Sequence, residues 1–352
     1  MSPRPAGTRP TLSLVAETAG TSVPTVSKVL RGGTDVSAET RAKVMAAVRA
    51  VGYTRRGGAK IDQVPDETGR SHVLDLVVTH YEGSWANLVT AGVGREAAAA
   101  GLDVVLTLAD PDSDWVSRLL RRRGLGTIGA LVDPTSPQFN ALYAAGVPVV
   151  LIDPMTTPPT GAASIGVANW DGGRTAAEHL LVLGHKRLGV VAGHARHLFG
   201  RARVDGFRAA AYTASDGGAT VSVTHGGWNG VKAEAATRAL LDREPGITGI
   251  FACSDEMALG VYDALNARGL RIPEDVSVIG FDDLPEARVM SPGLTTVRQP
   301  STELGATAVK LLVELSRGED GGVRPAARME LATELVVRAS TGPVPATEGR
   351  RG

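Results

Sequence analysis

The segment Thr11-Leu-Ser-Leu-Val-Ala-Glu-Thr-Ala-Gly20-Thr-Ser-Val-Pro-Thr-Val-Ser-Lys-Val-Leu30 decides how the front of this chain folds. Leu12, Val15, Ala16 and Ala19 recur at helical spacing, Thr11 stands where a side-chain oxygen can cap the first free amides, and Gly20 supplies the stop. A second helix is expected over Val23–Leu30, capped by Ser22 and buried along Val26, Val29 and Leu30; Pro24 is tolerated because it lies in the first turn. Ser37 opens a third, with Val44, Val48 and Val51 on one face and Gly52 at its end. Two helices joined by the tight link Gly20-Thr21 form a helix-turn-helix, whose second helix presents Val23, Pro24, Ser27 and Lys28 outward. The same spacing also suits a plain three-helix packing module.

Charge separates those readings. The 352 residues carry 37 basic and 37 acidic side chains, yet residues 1–60 hold ten Lys/Arg against three acids, +7, which leaves −7 on the rest. A basic head on an acidic body points the head at a polyanion. Length alone suggests two or three domains. No apolar run approaches the ~18 residues of a membrane span, and residues 1–10 contain no apolar core of a secretory signal. Cys253, the single cysteine, excludes an intramolecular disulfide framework or a Cys-rich zinc site and fits a reducing cytoplasm.

The segment 11–30, followed by Val36-Ser-Ala-Glu-Thr-Arg41 and Val51-Gly-Tyr53, resembles the headpiece of lactose/galactose-repressor-family (LacI-type) regulators over more than forty residues with matching gaps. The resemblance implies double-stranded, near-palindromic operator DNA as partner. Val23 and Pro24 take the main base-reading positions and Lys28 a third, while Thr11, Ser22, Thr25, Ser27 and Tyr53 match backbone-contacting or positioning residues. Val23 and Pro24 have no side-chain donor for a base edge and offer apolar contact only, so Lys28 to guanine carries more of the direct readout. Arg31, Arg55 and Arg56 are expected to supply salt-sensitive phosphate contacts. The headpiece is placed at 1–55 and a linker at 56–72. Relatives in the family carry a leucine wedge in that linker; here Asp62 falls at the position, unless Ile61 substitutes. A carboxylate facing a minor groove is unfavourable, so a flexible linker is the other expectation.

From residue 73 apolar runs at 73–78, 104–108, 130–132, 147–152, 188–191, 249–252 and 276–281 alternate with helical stretches at 97–100, 115–123, 175–183, 231–241 and 257–267. Such βα repetition predicts parallel sheets covered on both faces, and about 280 residues suit two subdomains. Ligands of such sheets bind beyond the strand carboxyl ends. His80, Asp133, Asp153, Ser254, Asp255, Asp282 and Asp283 follow those runs, a cleft rich in carboxylates with Arg203 and tryptophans nearby. Carboxylates accept from hydroxyls, guanidinium donates to them and indole stacks on a sugar's C–H face, whereas several acids repel a phosphate. A neutral polyhydroxylated effector is expected.

The runs His179-Leu-Leu-Val-Leu-Gly-His-Lys-Arg187, Arg201-Ala-Arg-Val-Asp-Gly-Phe207, Cys253-Ser-Asp-Glu-Met-Ala-Leu-Gly260 and Pro273-Glu-Asp-Val-Ser-Val-Ile-Gly-Phe-Asp-Asp283 resemble the effector domain of the same family, as do Leu294-Thr-Thr-Val-Arg-Gln-Pro300 and Glu334-Leu-Val-Val-Arg338. The implied fold is an all-α helix-turn-helix headpiece followed by an α/β periplasmic-binding-protein-like core of two doubly wound subdomains over 73–340, with a flexible tail at 341–352. By that resemblance Arg203 and Asp282 contact effector hydroxyls, followed by Asp153, Ser254 and Trp228, then Trp85, Asp133 and Gln299. The family also forms homodimers through its core.

The expected function is a cytoplasmic repressor whose operator affinity responds to a small effector, in all expectation a sugar, bound between the subdomains. A sugar-binding solute protein and an α/β enzyme are the rival classes. Neither a G-x-x-x-x-G-K-[ST] loop nor a G-x-S-x-G elbow is present, so no catalytic residues, cofactor or metal are expected. Several residues read as structural: Asp283 as a strand-end carboxylate, His185, His194 and His197 as non-metal histidines, Cys253 as inert, and Arg118, Arg121, Arg122 and Arg123 after Trp115 as a solvated helix face. For Trp170, a place at a helix start and ligand stacking are equally open.

Overall fold

A computed structural model of the chain describes residues 11–30, 36–51, 53, 71–79, 82–110, 113–214, 218–317 and 327–345. Its first part is three helices, α1 (Leu12–Thr18), α2 (Val23–Leu30) and α3 (Ala38–Val51). Each starts at the hydroxyl expected from sequence: Thr11 accepts from the Leu14 amide at 3.3 Å, Ser22 from Thr25 at 3.3 Å and Ser37 from Thr40 at 3.2 Å. Gly20 turns the chain between α1 and α2 at φ +62°, a conformation glycine adopts without penalty. Val15, Val26 and Val44 are wholly buried where the three helices meet, and Leu12, Leu30, Val51 and Tyr53 close around them. This small core is not isolated: Ala144 and Ala145 of the following domain pack against it, and Ser117 donates to the Leu30 carbonyl at 3.3 Å.

The larger part contains two six-stranded sheets. The first joins β1 (Val73–Val78), β2 (Asp103–Leu108), β3 (Gly126–Ala130), β4 (Val149–Ile152), β5 (Ala163–Val167) and β11 (Arg328–Leu331) in the order β11-β5-β4-β3-β1-β2, all parallel. The second joins β6 (Arg187–Ala192), β7 (Thr220–His225), β8 (Gly249–Ala252), β9 (Ser277–Asp282), β10 (Thr295–Arg298) and β12 (Glu334–Val336) in the order β12-β10-β9-β8-β6-β7, with only β12 antiparallel. Helices α4 (Ser84–Ala99), α5 (Trp115–Arg122), α6 (Ser136–Ala144) and α12 (Ser301–Ser316) cover the first sheet. Helices α7 (Asn169–Val182), α8 (Leu198–Thr213), α9 (Gly230–Arg243), α10 (Asp255–Asn266) and the short α11 (Pro285–Val289) belong to the second. The chain passes between the subdomains three times: after β5, after β10 and between β11 and β12.

Central strands are buried on both faces, as parallel sheets require: Leu74, Leu76, Ile128, Val150 and Ile152 in one sheet, Val190, Ile250, Phe251, Val278 and Phe281 in the other. Among the described residues no helix is long and apolar enough to cross a membrane.

Four sequence expectations change. The third strand is Gly126–Ala130, not 130–132. A Cβ on Gly126 would come within 2.7 Å of Leu312 and one on Gly129 within 3.2 Å of Leu151, so these strand glycines give neighbouring side chains room. Strands β5, β7, β10, β11 and β12, and helices α6, α8, α11 and α12, went unread. β7, β11 and β12 are exposed edge strands without an apolar run, and β10 is masked by Thr295, Thr296 and Arg298. The arginines after Trp115 are only partly a solvated face: Arg122 pairs with the buried Asp75, and Arg118 donates to the Leu108 carbonyl at 3.0 Å. Finally, Thr341, Gly342 and Val344, expected in a flexible tail, bond to the second subdomain. Thr341 lies 3.0 Å from His179 Nε2, Gly342 offers its carbonyl to His185 Nε2 at 3.1 Å, and the Val344 amide donates to Leu183 at 2.9 Å.

Candidate DNA-reading and effector sites

One helix end makes the candidate reading surface. The Ser22 and Thr25 hydroxyls lie 2.8 Å apart at the start of α2, so both are held by the cap. Val23, Pro24 and Lys28 are exposed, Thr25 and Ser27 partly covered, and Val26 and Val29 turn into the headpiece core. Lys28 stands one turn after Pro24 on the same face. Pro24 removes an amide that has no intrahelical acceptor in the first turn. Thr11 is occupied as the α1 cap, and Tyr53 packs on the headpiece core. Arg31, Arg55, Arg56, His80 and the linker with Ile61 and Asp62 lie outside the described residues.

The second site lies where the carboxyl ends of the two sheets face each other. Arg203, on α8 and 3% exposed, is its centre. Its Nε donates to Asn169 Oδ1 at 2.7 Å, its Nη1 to the Cys253 carbonyl at 2.6 Å and, more loosely, to Asp282 Oδ1 at 3.4 Å. The guanidinium lies 3.6 Å from the Phe281 ring centre, with Phe199 and Trp228 at 5.6 and 5.7 Å. Three aromatic faces thus enclose one cation. Gln299 Nε2 donates to Asp282 Oδ1 at 2.5 Å, and the Gln299 side-chain oxygen Oε1 is buried with no protein partner. Asp282 ends β9 of the second sheet; Asp153 follows β4 of the first.

Both carboxyls are fully enclosed and share one guanidinium. Burial pushes Asp153 up to about 6 against the pull of Arg203. Asp282 is also raised, burial again outweighing Arg203 and Gln299, with Asp153 adding repulsion. A floor with more carboxylate than cation disfavours an anion and favours neutral groups that donate hydrogen bonds. Backbone strain gathers at the same place: Asp153, Trp228, Asp282 and Asp283 have φ of 42°, 62°, 120° and 54°, values side chains other than glycine rarely adopt.

The remaining expected residues have varied tasks. Ser254 caps α10, accepting from Met257 at 3.2 Å. Asp133 accepts from the Thr156 amide at 3.0 Å. Trp85 stands in the first turn of α4 beside an apolar recess lined by Val78, Ala130 and Leu131. Trp170 lies in the first turn of α7, 44% exposed. Asp283 is structural, held by Arg298 at 2.7 Å and Arg338 at 2.5 Å. His185 is wholly buried between Thr248 and Gly342. Cys253 is buried, and burial pushes its thiol up to about 12, which leaves it unreactive.

Sequence reasoning missed Asn169, Phe199, Phe281, the burial of Asp255 and the bond that His197 Nδ1 accepts from Trp228 Nε1 at 2.9 Å. Asn169 looked like a helix-start residue, and Phe281 like ordinary strand interior. Asp255 was noted only as a polar strand-end residue; it is wholly buried and accepts from the Leu284 amide at 2.7 Å and Thr296 Oγ1 at 2.6 Å, pinning the turn after Asp282.

The comparisons with known proteins agree with both halves. The family of bacterial regulatory proteins, lacI family, matches residues 11–56, and a periplasmic binding protein-like domain matches residues 177–341. The HTH-type transcriptional regulator CelR of Thermobifida fusca is 33% identical over 344 residues, covering 94% of this chain and 98% of its own length. A solved complex of the transcriptional regulator CelR with cellobiose has a TM-score of 0.70 at 31% identity, over 94% of this chain and all of that one. The Lac repressor dimer bound to operator and the anti-inducer ONPF has a TM-score of 0.69 at 29% identity, over 95% and 100%. With headpiece, two-sheet core and relatives in accord, this chain belongs to the lacI family of bacterial regulatory proteins and is a helix-turn-helix transcriptional regulator.

Proposed function

We propose that the protein is a cytoplasmic, homodimeric repressor that reads a near-palindromic operator through α2 and is switched by a neutral sugar held between its two subdomains. Its output is DNA affinity, not catalysis. The observation that carries the effector half is the Arg203 network: one enclosed guanidinium between Asp153 and Asp282, walled by Phe199, Trp228 and Phe281. Hydroxyls satisfy the carboxylates, and aromatic faces suit a pyranose or furanose ring. Solved relatives that hold cellobiose and ribose support the same ligand class, and the operator-bound Lac repressor dimer supports the assembly.

A closing ligand has to favour one subdomain arrangement over another to change headpiece spacing; equal affinity for both states shifts nothing. The experiment is a thermal-shift screen of the purified protein against neutral sugars and phosphosugars, repeated with Arg203→Ala. A ligand at about 100 times its Kd adds roughly 2.7 kcal/mol, enough to read. Stabilisation of the wild type by a neutral sugar, absent in the variant, is the expected result. Stabilisation by phosphosugars alone would contradict the carboxylate-rich reading.

A further inference from the structure

The first sheet has two ends, and the Arg203 network uses only one of them. Asp153 follows the carboxyl end of β4, whereas Ser71, Leu125 and Pro148 lie just ahead of β1, β3 and β4. These strands are parallel, so their starts share one edge. The last turns of α5 and α12 reach that edge, where Ser71, Arg123, Gly124, Gly146, Pro148 and Ser316 line a groove of about 270 Å³.

The same edge adjoins the headpiece. Ala144 and Ala145, which lead into the groove residue Gly146, pack on the headpiece core. On α5, Ser117 donates to the Leu30 carbonyl at the end of α2 at 3.3 Å. Arg121 stands one turn further along that face of α5. The exposed Lys28 precedes Leu30 by two residues.

For an acidic body the edge carries an unusual charge. Arg118 and Arg122 turn inward, to the Leu108 carbonyl at 3.0 Å and to Thr107 Oγ1 at 2.7 Å beside Asp75. Arg121 and Arg123 stay exposed, as do Arg317 at the end of α12 and His72 before β1. Among the described residues Arg121, Arg123 and Arg317 form no ion pair. Asp103 is the one exposed acid at a strand start of this sheet. Arginine at a helix end also complements the dipole, a role that needs no partner. A small free anion calls for donors that converge, but these guanidinium groups are spread over two helix ends. Duplex DNA, with one charge per about 1.7 Å of axis, matches a spread row.

We propose that the amino edge of the first sheet is a second DNA-contacting surface, on which Arg121 and Arg123, with Arg317 beyond them, meet the phosphate backbone of the duplex flanking the half-site that α2 reads. This rests on the headpiece reading above and extends the interface into the core. Such contacts add affinity and salt dependence and carry no sequence information.

The experiment uses the full-length protein and an operator that it selects from a random-sequence pool, centred in duplexes of about 18 and about 50 base pairs. The shorter duplex holds two half-sites one helical turn apart and little more. Fluorescence anisotropy over a salt series is measured for the wild type, Arg121→Gln/Arg123→Gln and Arg121→Lys/Arg123→Lys, with melting midpoints alongside. The Gln pair is expected to lose about 10-fold on the longer duplex and less than about 2-fold on the shorter. Its slope of log affinity against log salt becomes shallower by about 0.9 for each phosphate contact removed. The Lys pair restores affinity and slope, and the melting midpoint stays at the wild-type value. Lys28→Ala weakens both duplexes alike, which separates a fault in headpiece reading from one at the edge. Wild-type affinity and slope for the Gln pair on the longer duplex would overturn the surface. So would an equal loss on both duplexes or a lowered melting midpoint, either of which would leave Arg121 and Arg123 as supports of the α5 end.

Discussion

The headpiece and the effector cleft solve recognition in opposite ways. In the headpiece the candidate reading residues are neighbours in sequence, exposed on one helix end and backed by a small core of valines. In the cleft the residues around Arg203 on α8, which are Asn169, Asp153, Asp282 and Gln299, come from α7, the loop after β4, the end of β9 and the loop after β10, are buried, and interact mainly with one another. The first arrangement separates stability from recognition; the second merges them. A substitution on the α2 surface should therefore touch DNA affinity alone, whereas one in the cleft should touch folding and ligand binding together.

The largest expected effect tests that merger. Arg203→Ala leaves Asp153 and Asp282 without their shared cation and the Asn169 and Cys253 carbonyls without their donor, and should destabilise the core by about 3–5 kcal/mol. Chemical denaturation followed by ligand titration of the folded fraction measures both losses; undiminished stability would mean that the network is not load-sharing with the fold. Next comes pH. Asp153 sits above its unfolded value near 3.8, at about 6, and Asp282 is raised as well. The native state then binds more protons than the unfolded chain between those values. The contribution is fully present below about pH 4 and is lost as pH rises through about 6, on the order of 3 kcal/mol for Asp153. Denaturation midpoints of wild type and Asp153→Asn across this window should converge toward acid and separate toward neutrality in favour of Asn.

On the headpiece side the effects are smaller and cleaner. Lys28→Ala should weaken operator binding by about 1–3 kcal/mol and relax preference at one base pair per half-site, leaving the core's unfolding untouched. Equal loss on operator and random DNA would demote Lys28 to a phosphate contact. Smallest is Thr11→Ala, which removes the α1 cap and should cost the headpiece about 1 kcal/mol with no change in sugar affinity, as read from amide exchange within α1.

The same contrast explains what the sequence disclosed. Headpiece boundaries follow from local chemistry, since Thr11, Ser22, Ser37 and Gly20 act within three or four residues of themselves, and α2 falls at Val23–Leu30 as expected. Strands at 73–78 and 249–252 were legible because both faces are buried. Three of the edge strands were not, because β7, β11 and β12 have exposed positions that break the apolar run, whereas the edge strand β2 keeps its run at 104–108. In the cleft, Arg203, Asp153 and Asp282 could be nominated from motifs and strand ends. Asn169 and Phe281 could not: their roles exist only because the topology brings α7 and the end of β9, both distant in sequence, to the Arg203 guanidinium. Ser117, which donates to the Leu30 carbonyl at the end of α2, and Ala144, which packs on the headpiece core, bring the first subdomain into contact with the headpiece.

The central claim is that the cleft governs the headpiece. The most direct measurement is operator affinity by fluorescence anisotropy, with and without a saturating concentration of the sugar that stabilises the wild type. The account predicts a change of about 5–150-fold in wild type, the usual range of coupling between sites, and none in Arg203→Ala. An operator affinity identical at zero and saturating sugar in the wild type would contradict it.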